Sequence, residues 1–576
     1  MDDIGAQFTD SRNDGITDAP TEKEINKKRY TSQDERTREQ KNEMNDIRKY
    51  PIGIQDFATL REDGYLYVDK TALIHRLVTE GKVYFLNRPR RFGKSLLLST
   101  LAALFEGRRE LFEEMTLSDG TRQPRLAIAD MPWDWTPRPV LRFDFGRTMA
   151  EDASEMQESI QRQLTAMEKR YGLPSDDGEQ SGERLIALVE HLHQTTKQRV
   201  VVLVDEYDNT MIRHLGDEQQ SVAVRREFQR LFSPLKSLDP HLEFVFITGI
   251  TKFAQMGVFS TLNHIRNIGM TADYETICGI TEQELTSTLH TDVETMAEAY
   301  GISSADMMEQ LKQYYDGYHF SSKLTDVYNP FSVMNAFSAK SLGTYWFESG
   351  TTTAVVEQLS KMPQLTMEDL EGTVVQQNAF DAPVTSYVNP QAFLYQSGYL
   401  TIKDCEMLDY SYAYTLGFPN KEVRLSFADC LYQYVTNDDK RQRATLYNAY
   451  KQLGSNDDMA DFMEAVKTFY AGVPYMLDNA NEAHYHVLLY TLLVAFGADI
   501  SAEEPSAKGR ADLVLKMPKT IYVIEIKYDK PVEEALSQID QRGYARKYDL
   551  DGRRVVKLGI VFSSAERNVS SWRTAE

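Results

Sequence analysis

Cysteine is scarce in this chain of 576 residues: Cys278, Cys405 and Cys430 are its only three, odd in number and widely scattered. That usage excludes a disulfide framework and a cysteine-based metal knuckle, and it makes a reducing, cytoplasmic setting the expectation. Long apolar runs are also missing. The longest, Val487 to Ala498, is too short to cross a bilayer, so no membrane partner is expected. The opening Met1-Asp2-Asp3-Ile4-Gly5 is acidic and lacks an apolar core, so no secretory leader is expected. No Ser-His-Asp arrangement, internal repeat or low-complexity tract stands out. Positive charge is in deficit: Lys and Arg number 64 against 86 Asp and Glu, a net charge of −22. Such a surface repels phosphate backbones. The exception is a cluster of Arg542, Arg546, Lys547, Arg553, Arg554 and Lys557, set against Asp549 and Asp551. It suits either a nucleic-acid backbone or an ordinary solvated helix and turn.

The hydrophobic fraction of 42% is ordinary for a globular protein, and the length predicts two to four domains. Residues 1–47 are polar and mixed in charge, with Phe8 and Tyr30 the aromatics among the first 43 or so. They cannot bury enough apolar area to offset chain entropy, so disorder is expected there. Strand and helix patterns alternate over 48–290. Helical periodicity dominates 291–454, as in Met307-Met308-Leu311 and Val333-Met334-Phe337. A further mixed unit is expected over 455–576, closing on a strand from Val556 to Phe562.

Near the carboxyl end, Gly509-Arg510-Ala511-Asp512 runs into Leu513-Val514-Leu515, and Met517-Pro518-Lys519-Thr520 separates it from Tyr522-Val523-Ile524-Glu525-Ile526-Lys527. Two apolar, β-branched runs around a polar break read as neighbouring strands. Glu525 and Lys527 are two apart, so both side chains leave one face of the sheet. Two acids and a lysine at such a place suit metal-assisted phosphodiester hydrolysis: hard carboxylate oxygens hold Mg²⁺, and an ammonium orients water or steadies charge. The bland alternative is a solvated strand face of alternating charge. Against it, the residues flanking Glu525 are apolar, and buried acids are rare without a partner.

A second chemical pattern lies in the amino-terminal half. The short apolar strand Val83 to Asn87 leads into Arg88-Pro89-Arg90-Arg91-Phe92-Gly93-Lys94-Ser95, and Leu96-Leu97-Leu98, Leu101 and Leu104-Phe105 follow at helical spacing. Strand, loop with Gly-Lys-Ser, helix is the setting of a phosphate-binding loop. Lys94 would reach the outer phosphates, Ser95 would ligate Mg²⁺, and the backbone from Arg90 to Gly93 would cradle the oxygens. Arg88 stands where the full pattern has its first glycine, and arginine does not favour the positive φ that glycine supplies. Downstream, Val200-Val201-Val202-Leu203-Val204 ends in Asp205 and Glu206, the pattern of a buried parallel strand with ligand chemistry at its carboxyl end. Asp205 would hold Mg²⁺ and Glu206 would polarise the attacking water. The strand Glu243 to Gly249 ends near Thr248, where a γ-phosphate-sensing group would sit, and Val140 to Asp144 supplies an additional strand. Asp144-Phe145-Gly146 echoes a kinase motif but lacks its companion loop and reads as chance. His484 and His486 are two apart on a predicted helix, which makes a shared zinc site improbable. The aromatics of Tyr314 to Phe320 read as packing in preference to base stacking.

These motifs carry two resemblances. The terminal strands resemble the PD-(D/E)xK, restriction-endonuclease-like superfamily. That likeness implies metal ligands at Glu482, Asp512 and Glu525, a catalytic lysine at Lys527, and accessory groups at Gln538 and Tyr544. Ala511 replaces the proline that often precedes the first aspartate. Tyr50 to Phe57, Tyr67-Val68-Asp69-Lys70-Thr71, the Arg88–Ser95 loop, Tyr315-Asp316-Gly317-Tyr318, Tyr328 to Ser332 and Pro419-Asn420-Lys421-Glu422-Val423-Arg424 resemble hallmarks of the AAA-ATPase-like family. The missing first glycine is a habit of that family. Together they imply an α/β chain: a P-loop, AAA-type parallel-sheet ATPase core, a mainly helical lid and connector, and a carboxyl-terminal restriction-endonuclease-like domain. ATP and Mg²⁺ are the implied cofactors and nucleic acid, DNA before RNA, the implied partner; assembly into a homo-oligomer stays open. A nucleotide-gated nuclease, a switch that binds without cutting, and a regulatory ATPase with no nucleic-acid role are the readings left.

Overall fold

A computed structural model describes residues 48–148, 150–174, 180–214, 217–251, 265–347, 370–381, 390–436, 440–456, 458–473 and 481–576. Residues 1–47, where disorder is expected, lie outside the described residues.

The strand ahead of the phosphate loop, β1 (Val83–Asn87), is buried at every position, as is usual for a strand covered on both faces. A small hairpin, β2 (Met115–Thr116) and β3 (Arg122–Gln123), sits apart from the sheet that β1 joins. That sheet is completed by β4 (Val140–Asp144), β5 (Val200–Asp205), β6 (Leu242–Gly249) and β7 (Arg266–Asn267), in the order β4-β5-β6-β1-β7, all parallel. The acidic strand β5 and the loop strand β1 are therefore not neighbours; β6 is inserted between them. Register pairs Asp144 with Asp205 and Asn87 with Gly249, so the polar ends of four strands share one edge of the sheet. Ligand sites form at that edge in parallel sheets.

Helices Glu282–Ser287, His290–Tyr300, Ser304–Tyr315 and Pro330–Ala339 follow and share an apolar cluster that includes the fully buried Tyr328 and Val333. The predicted helical periodicity at Met307 and Val333 is thus met. The middle of the chain also holds an antiparallel sheet of β8 (Thr373–Gln376), β9 (Thr401–Leu408) and β10 (Ser411–Gly417), with β10 central. Helix Lys421–Thr436 then leads to the last unit.

In the last unit the sheet order is β11 (Asp499–Ser506), β12 (Gly509–Lys516), β13 (Thr520–Tyr528), β14 (Arg554–Ser563), β15 (Asn568–Ala575). The β12–β13 pair is antiparallel, and helix Val532–Arg542 carries the chain from β13 to its parallel neighbour β14. The expected closing strand from Val556 to Phe562 is corrected here: β15 follows it and forms the sheet edge. Its sequence, Asn568-Val569-Ser570-Ser571-Trp572, has little of the apolar density that marks a strand, and pairing with β14 supplies what composition does not.

Candidate active sites

Helix Lys94–Phe105 starts after Gly93, whose φ is 90°, and no side chain caps it. Uncapped N–H groups at a helix start favour an anion. Lys94 is buried and donates from Nζ to Arg88 O and Pro89 O, both at 3.0 Å. Ser95 stands half-buried beside it. The expectation that Arg88 strains the loop is corrected. The left-handed positions are Arg91, φ 65°, and Gly93, while Arg88 is absent from that region. Its guanidinium is instead buried behind the loop. Nη1 donates to Asn87 O and Gly269 O at 2.9 and 2.7 Å, Nη2 to Tyr274 O and Glu275 O at 3.0 and 3.3 Å, and the group lies 4.0 Å from the Phe320 ring. Phe92 packs edge-on against Tyr318 and Phe320, so the aromatic stretch 314–320 is packing beneath the loop.

Asp205 is the last residue of β5 and Glu206 follows it; Glu206 lines the cavity beside this loop, whereas Asp205 is buried and does not. Thr248, fully buried on the neighbouring strand, donates its hydroxyl to Asp205 Oδ1 at 2.7 Å. Its hydroxyl proton is thus engaged by Asp205, and Thr248 is not among the residues lining the adjoining cavity, where a γ-phosphate sensor would stand. Glu206 has φ 49°, a conformation costly for a residue with a Cβ, and this turns its carboxylate over Gly146. A Cβ on Gly146 would lie 2.7 Å from Glu206 Oε2. Burial raises the proton affinity of Glu206; Lys94 opposes that rise, and Asp205 and Asp208 add to it. Asp208, fully buried, accepts from Ile250 N, Thr251 N and Thr251 Oγ1, which ties the acidic turn to the end of β6. A cavity of about 410 Å³ adjoins the loop, lined by Lys94, Ser95 and Glu206 on one side and by Ile54, Val68 and Phe331 on the other. Arg91 lies 4.9 Å from the Phe331 ring, and Arg90 O accepts from the Trp346 indole at 3.1 Å. Motif reading missed Gly146, Asp208 and the apolar wall; the Asp-Phe-Gly triplet set aside as chance supplies that glycine.

At the other end of the chain, β12 and β13 bring Asp512, Glu525 and Lys527 together. Glu525 and Lys527 share the face of β13 that carries Ile521 and Val523. Asp512 Oδ2 accepts from Ile526 N at 2.7 Å. Lys527 Nζ donates to Glu525 Oε1 and to Ile526 O, both at 2.9 Å, and lies 3.5 Å from Glu482. Glu482 is the first residue of helix Glu482–Ala495, which Asn481 caps through His484 N. Glu525 is fully buried, and its Oε2 has no hydrogen-bond partner. Burial, then the charge of Asp512, push its carboxyl up to about 7, with Lys527 pulling the other way. Burial likewise raises Asp512. Burial lowers the Lys527 ammonium, but Glu525, Asp512 and Glu482 outweigh it and hold the proton on.

Two of the three predicted ligands, Glu482 and Glu525, thus pair with one ammonium and Asp512 acts on it through its charge, and among the described residues no three acidic, His or Cys side chains converge as a ready metal cage. Lys527 takes the place of a cation beside Glu525. The donor set nevertheless fits one: hard oxygens, one of them buried and unpaired. Gln538 is half-buried on helix Val532–Arg542, outside these hydrogen bonds. Tyr544 is not on that helix as expected. Gly543, φ 67°, ends it at Arg542, and Tyr544 opens a separate turn packed with Ala511 and Val514. His486, one turn beyond Glu482, donates from Nε2 to Asp512 O at 2.8 Å, a support that spacing did not reveal. The basic cluster is largely matched by local acids: Lys547 with Glu504, Arg553 with Asp551, Arg554 with Glu576, Lys557 with Asp540. The three cysteines are free, and no described helix is long and apolar enough to cross a membrane.

The fold and both sites define a phosphate-loop ATPase-like core joined to a restriction-endonuclease-like domain. Residues 51–259 match the family described as Predicted AAA-ATPase, and residues 480–572 match the PD-(D/E)XK nuclease superfamily. The chain is 33% identical over 534 residues to the "Uncharacterized protein in vnfD 5'region" of Azotobacter chroococcum mcd 1, covering 91% of this chain and 98% of that one. It belongs to the AAA-ATPase-like family and carries a PD-(D/E)XK domain at its carboxyl end. A looser likeness, at 10% identity and a TM-score of 0.23 over 61% of this chain and 87% of the other, is to the structure of the Aeropyrum pernix ORC2 protein.

Proposed function

We propose that this protein hydrolyses ATP and that its nucleotide state controls a metal-dependent phosphodiesterase acting on nucleic acid, DNA before RNA. The working units are the ATPase core over 48–290, the lid and connector over 291–454 and the nuclease-like domain over 455–576. One observation carries the reading: Glu525 is fully buried with an unpaired oxygen beside Asp512 and Lys527, in the same chain as an uncapped phosphate loop. Burying an acid at that cost is unusual outside chemistry.

In the ATPase core, Lys94 would leave the loop carbonyls for the outer phosphates, and the apolar wall around Ile54 and Phe331 would take the base. Glu206, its proton affinity raised, is suited to accept a proton from the attacking water. In the terminal domain, Lys527 would orient water against a phosphodiester. Mg²⁺, which Ser95 with Asp205 and Asp512 with Glu525 and Glu482 would hold, supplies charge neutralisation and a more acidic water at either site.

The test is cleavage of plasmid, single-stranded DNA and RNA by the full chain with Mg²⁺ or Mn²⁺, with and without ATP. Asp512→Ala is expected to abolish cutting while ATP turnover persists. Lys94→Ala is expected to cut turnover on the order of 10²-fold or more and to remove the ATP response of cutting. No cutting on any substrate, with turnover intact, would leave the second reading: a nucleotide switch whose terminal domain binds without cutting. In that reading the terminal domain binds nucleic acid or a protein partner, and the local neutralisation of the basic cluster favours the protein partner.

A further inference from the structure

The Pro419–Arg424 segment carries a family motif yet lies in neither site. It opens helix Lys421–Thr436. Asn420 Oδ1 accepts from Val423 N at 3.1 Å, and its Nδ2 donates to Asp316 O at 2.8 Å. Next to Asp316, Gly317 has φ 82°, and a Cβ there would lie 2.3 Å from Pro419 O. The helix start is therefore locked onto the Tyr315–Tyr318 turn. Glu422 and Arg424 are two apart on it, and at about 100° per residue their side chains leave on opposite sides.

Glu422 faces the phosphate loop. Its buried Oε1 accepts from Trp346 N at 2.8 Å, and Trp346 Nε1 donates to Arg90 O at 3.1 Å. Tyr399 packs edge-on against Trp346 at 5.1 Å and against Phe427 of the same helix at 5.8 Å. Pro89 of the loop presses on Gly398, where a Cβ would meet Pro89 Cβ at 2.6 Å. Arg424 faces the other way. Its Nη2 donates to Tyr490 OH at 2.5 Å and Ile500 O at 3.4 Å, and Nε lies 3.2 Å from Glu371. Tyr490 is on the helix that begins with Glu482, and Ile500 is on β11, the partner of the strand that bears Asp512.

We propose that Glu422 and Arg424 are positioning residues, and that the start of this helix is a strut joining the phosphate loop to the helix and strand that present Glu482 and Asp512. Two packed, hydrogen-bonded ends on one rigid element make a movement of the loop a movement of the acid cluster. The inference rests on the reading of the two sites given above, but the link itself does not require the terminal domain to cut.

The experiment is hydrogen–deuterium exchange on the full chain, with and without ADP or a non-hydrolysable ATP analogue, in wild type, Tyr490→Phe and Arg424→Met. Nucleotide affinity is measured in parallel. In wild type, nucleotide is expected to change exchange over 482–495 and 509–516 about fivefold or more. In Tyr490→Phe, which loses one hydroxyl, that response should fall below about twofold while affinity holds within about twofold. Arg424→Met should behave alike. An undiminished response in both variants overturns the strut. So does nucleotide binding with no response at 482–495 in wild type, which leaves the ATPase reading standing. A response that persists in a protein that cuts nothing supports the strut and overturns only the nuclease reading.

Discussion

Lys94 and Lys527 are both buried ammonium groups beside acids, but they are held in opposite ways. Lys94 rests on two neutral main-chain carbonyls next to a cavity of about 410 Å³. Lys527 rests on a carboxylate, with two more carboxylates acting on it. A charge parked on neutral acceptors can swing to an incoming polyanion at small cost. A charge that neutralises buried acids cannot leave unless those acids take a proton or another cation. The amino-terminal ammonium is thus held by groups that an anion can replace, whereas the terminal one is tied to its acids.

The largest effect is expected behind the loop. Arg88→Gly restores the common phosphate-loop pattern yet removes four hydrogen bonds and the stacking on Phe320. We expect a loss of about 4 kcal/mol in denaturant unfolding; a change below about 1 kcal/mol would break the claim that a guanidinium builds this loop. Next comes the comparison of the lysines. Lys527→Met strands Glu525, Asp512 and Glu482 against one another and should cost about 3 kcal/mol at pH 8. Part of that loss should return at pH 5.5, below the value of about 7 at which Glu525 takes its proton. Lys94→Met strands two neutral carbonyls and removes only a more distant charge that offsets Glu206 and Asp208, and it should cost about 1 kcal/mol at either pH. Equal costs would erase the distinction.

An effect smaller than that of Lys527→Met concerns Asp316, away from both sites. Burial, then Asp326, push its carboxyl from 3.8 to about 7, with Lys312 opposing. Below the lower value both folded and unfolded chains hold the proton. Between the two values only the folded chain does, so stability is lost as pH rises, and above about 7 the penalty is complete. Asp316→Asn should therefore gain about 1–2 kcal/mol at pH 8 and almost nothing at pH 4. Equal urea midpoint shifts at both pH values would contradict this.

Both chemical patterns were legible because their chemistry needs particular residues at short spacing. Gly-Lys-Ser after an apolar strand, and Glu-x-Lys within one, stand in the sequence beside the apolar flanks that give them weight. What escaped was assembled from distant segments. Gly146 matters through the φ of Glu206, and His486 through the carbonyl of Asp512. Tyr544 was misplaced because the αL turn at Gly543 ended a helix whose periodicity continued on paper. The strand β15 was missed because edge pairing tolerated a polar sequence.

By itself the sequence determined the class of this protein: a phosphate loop and an acidic strand at one end, a PD-(D/E)XK strand pair at the other, each coded within a few consecutive residues. Only the tertiary structure decided how those groups stand in the folded chain. It sent Arg88 behind the loop, Thr248 onto Asp205 and Lys527 into the acid cluster. It also set Glu422 and Arg424 on opposite sides of one helix between the two sites. The reason is range: backbone propensity and motif spacing act over a few residues, whereas the partner of a buried charge is chosen by whichever distant segment the fold brings within hydrogen-bond reach.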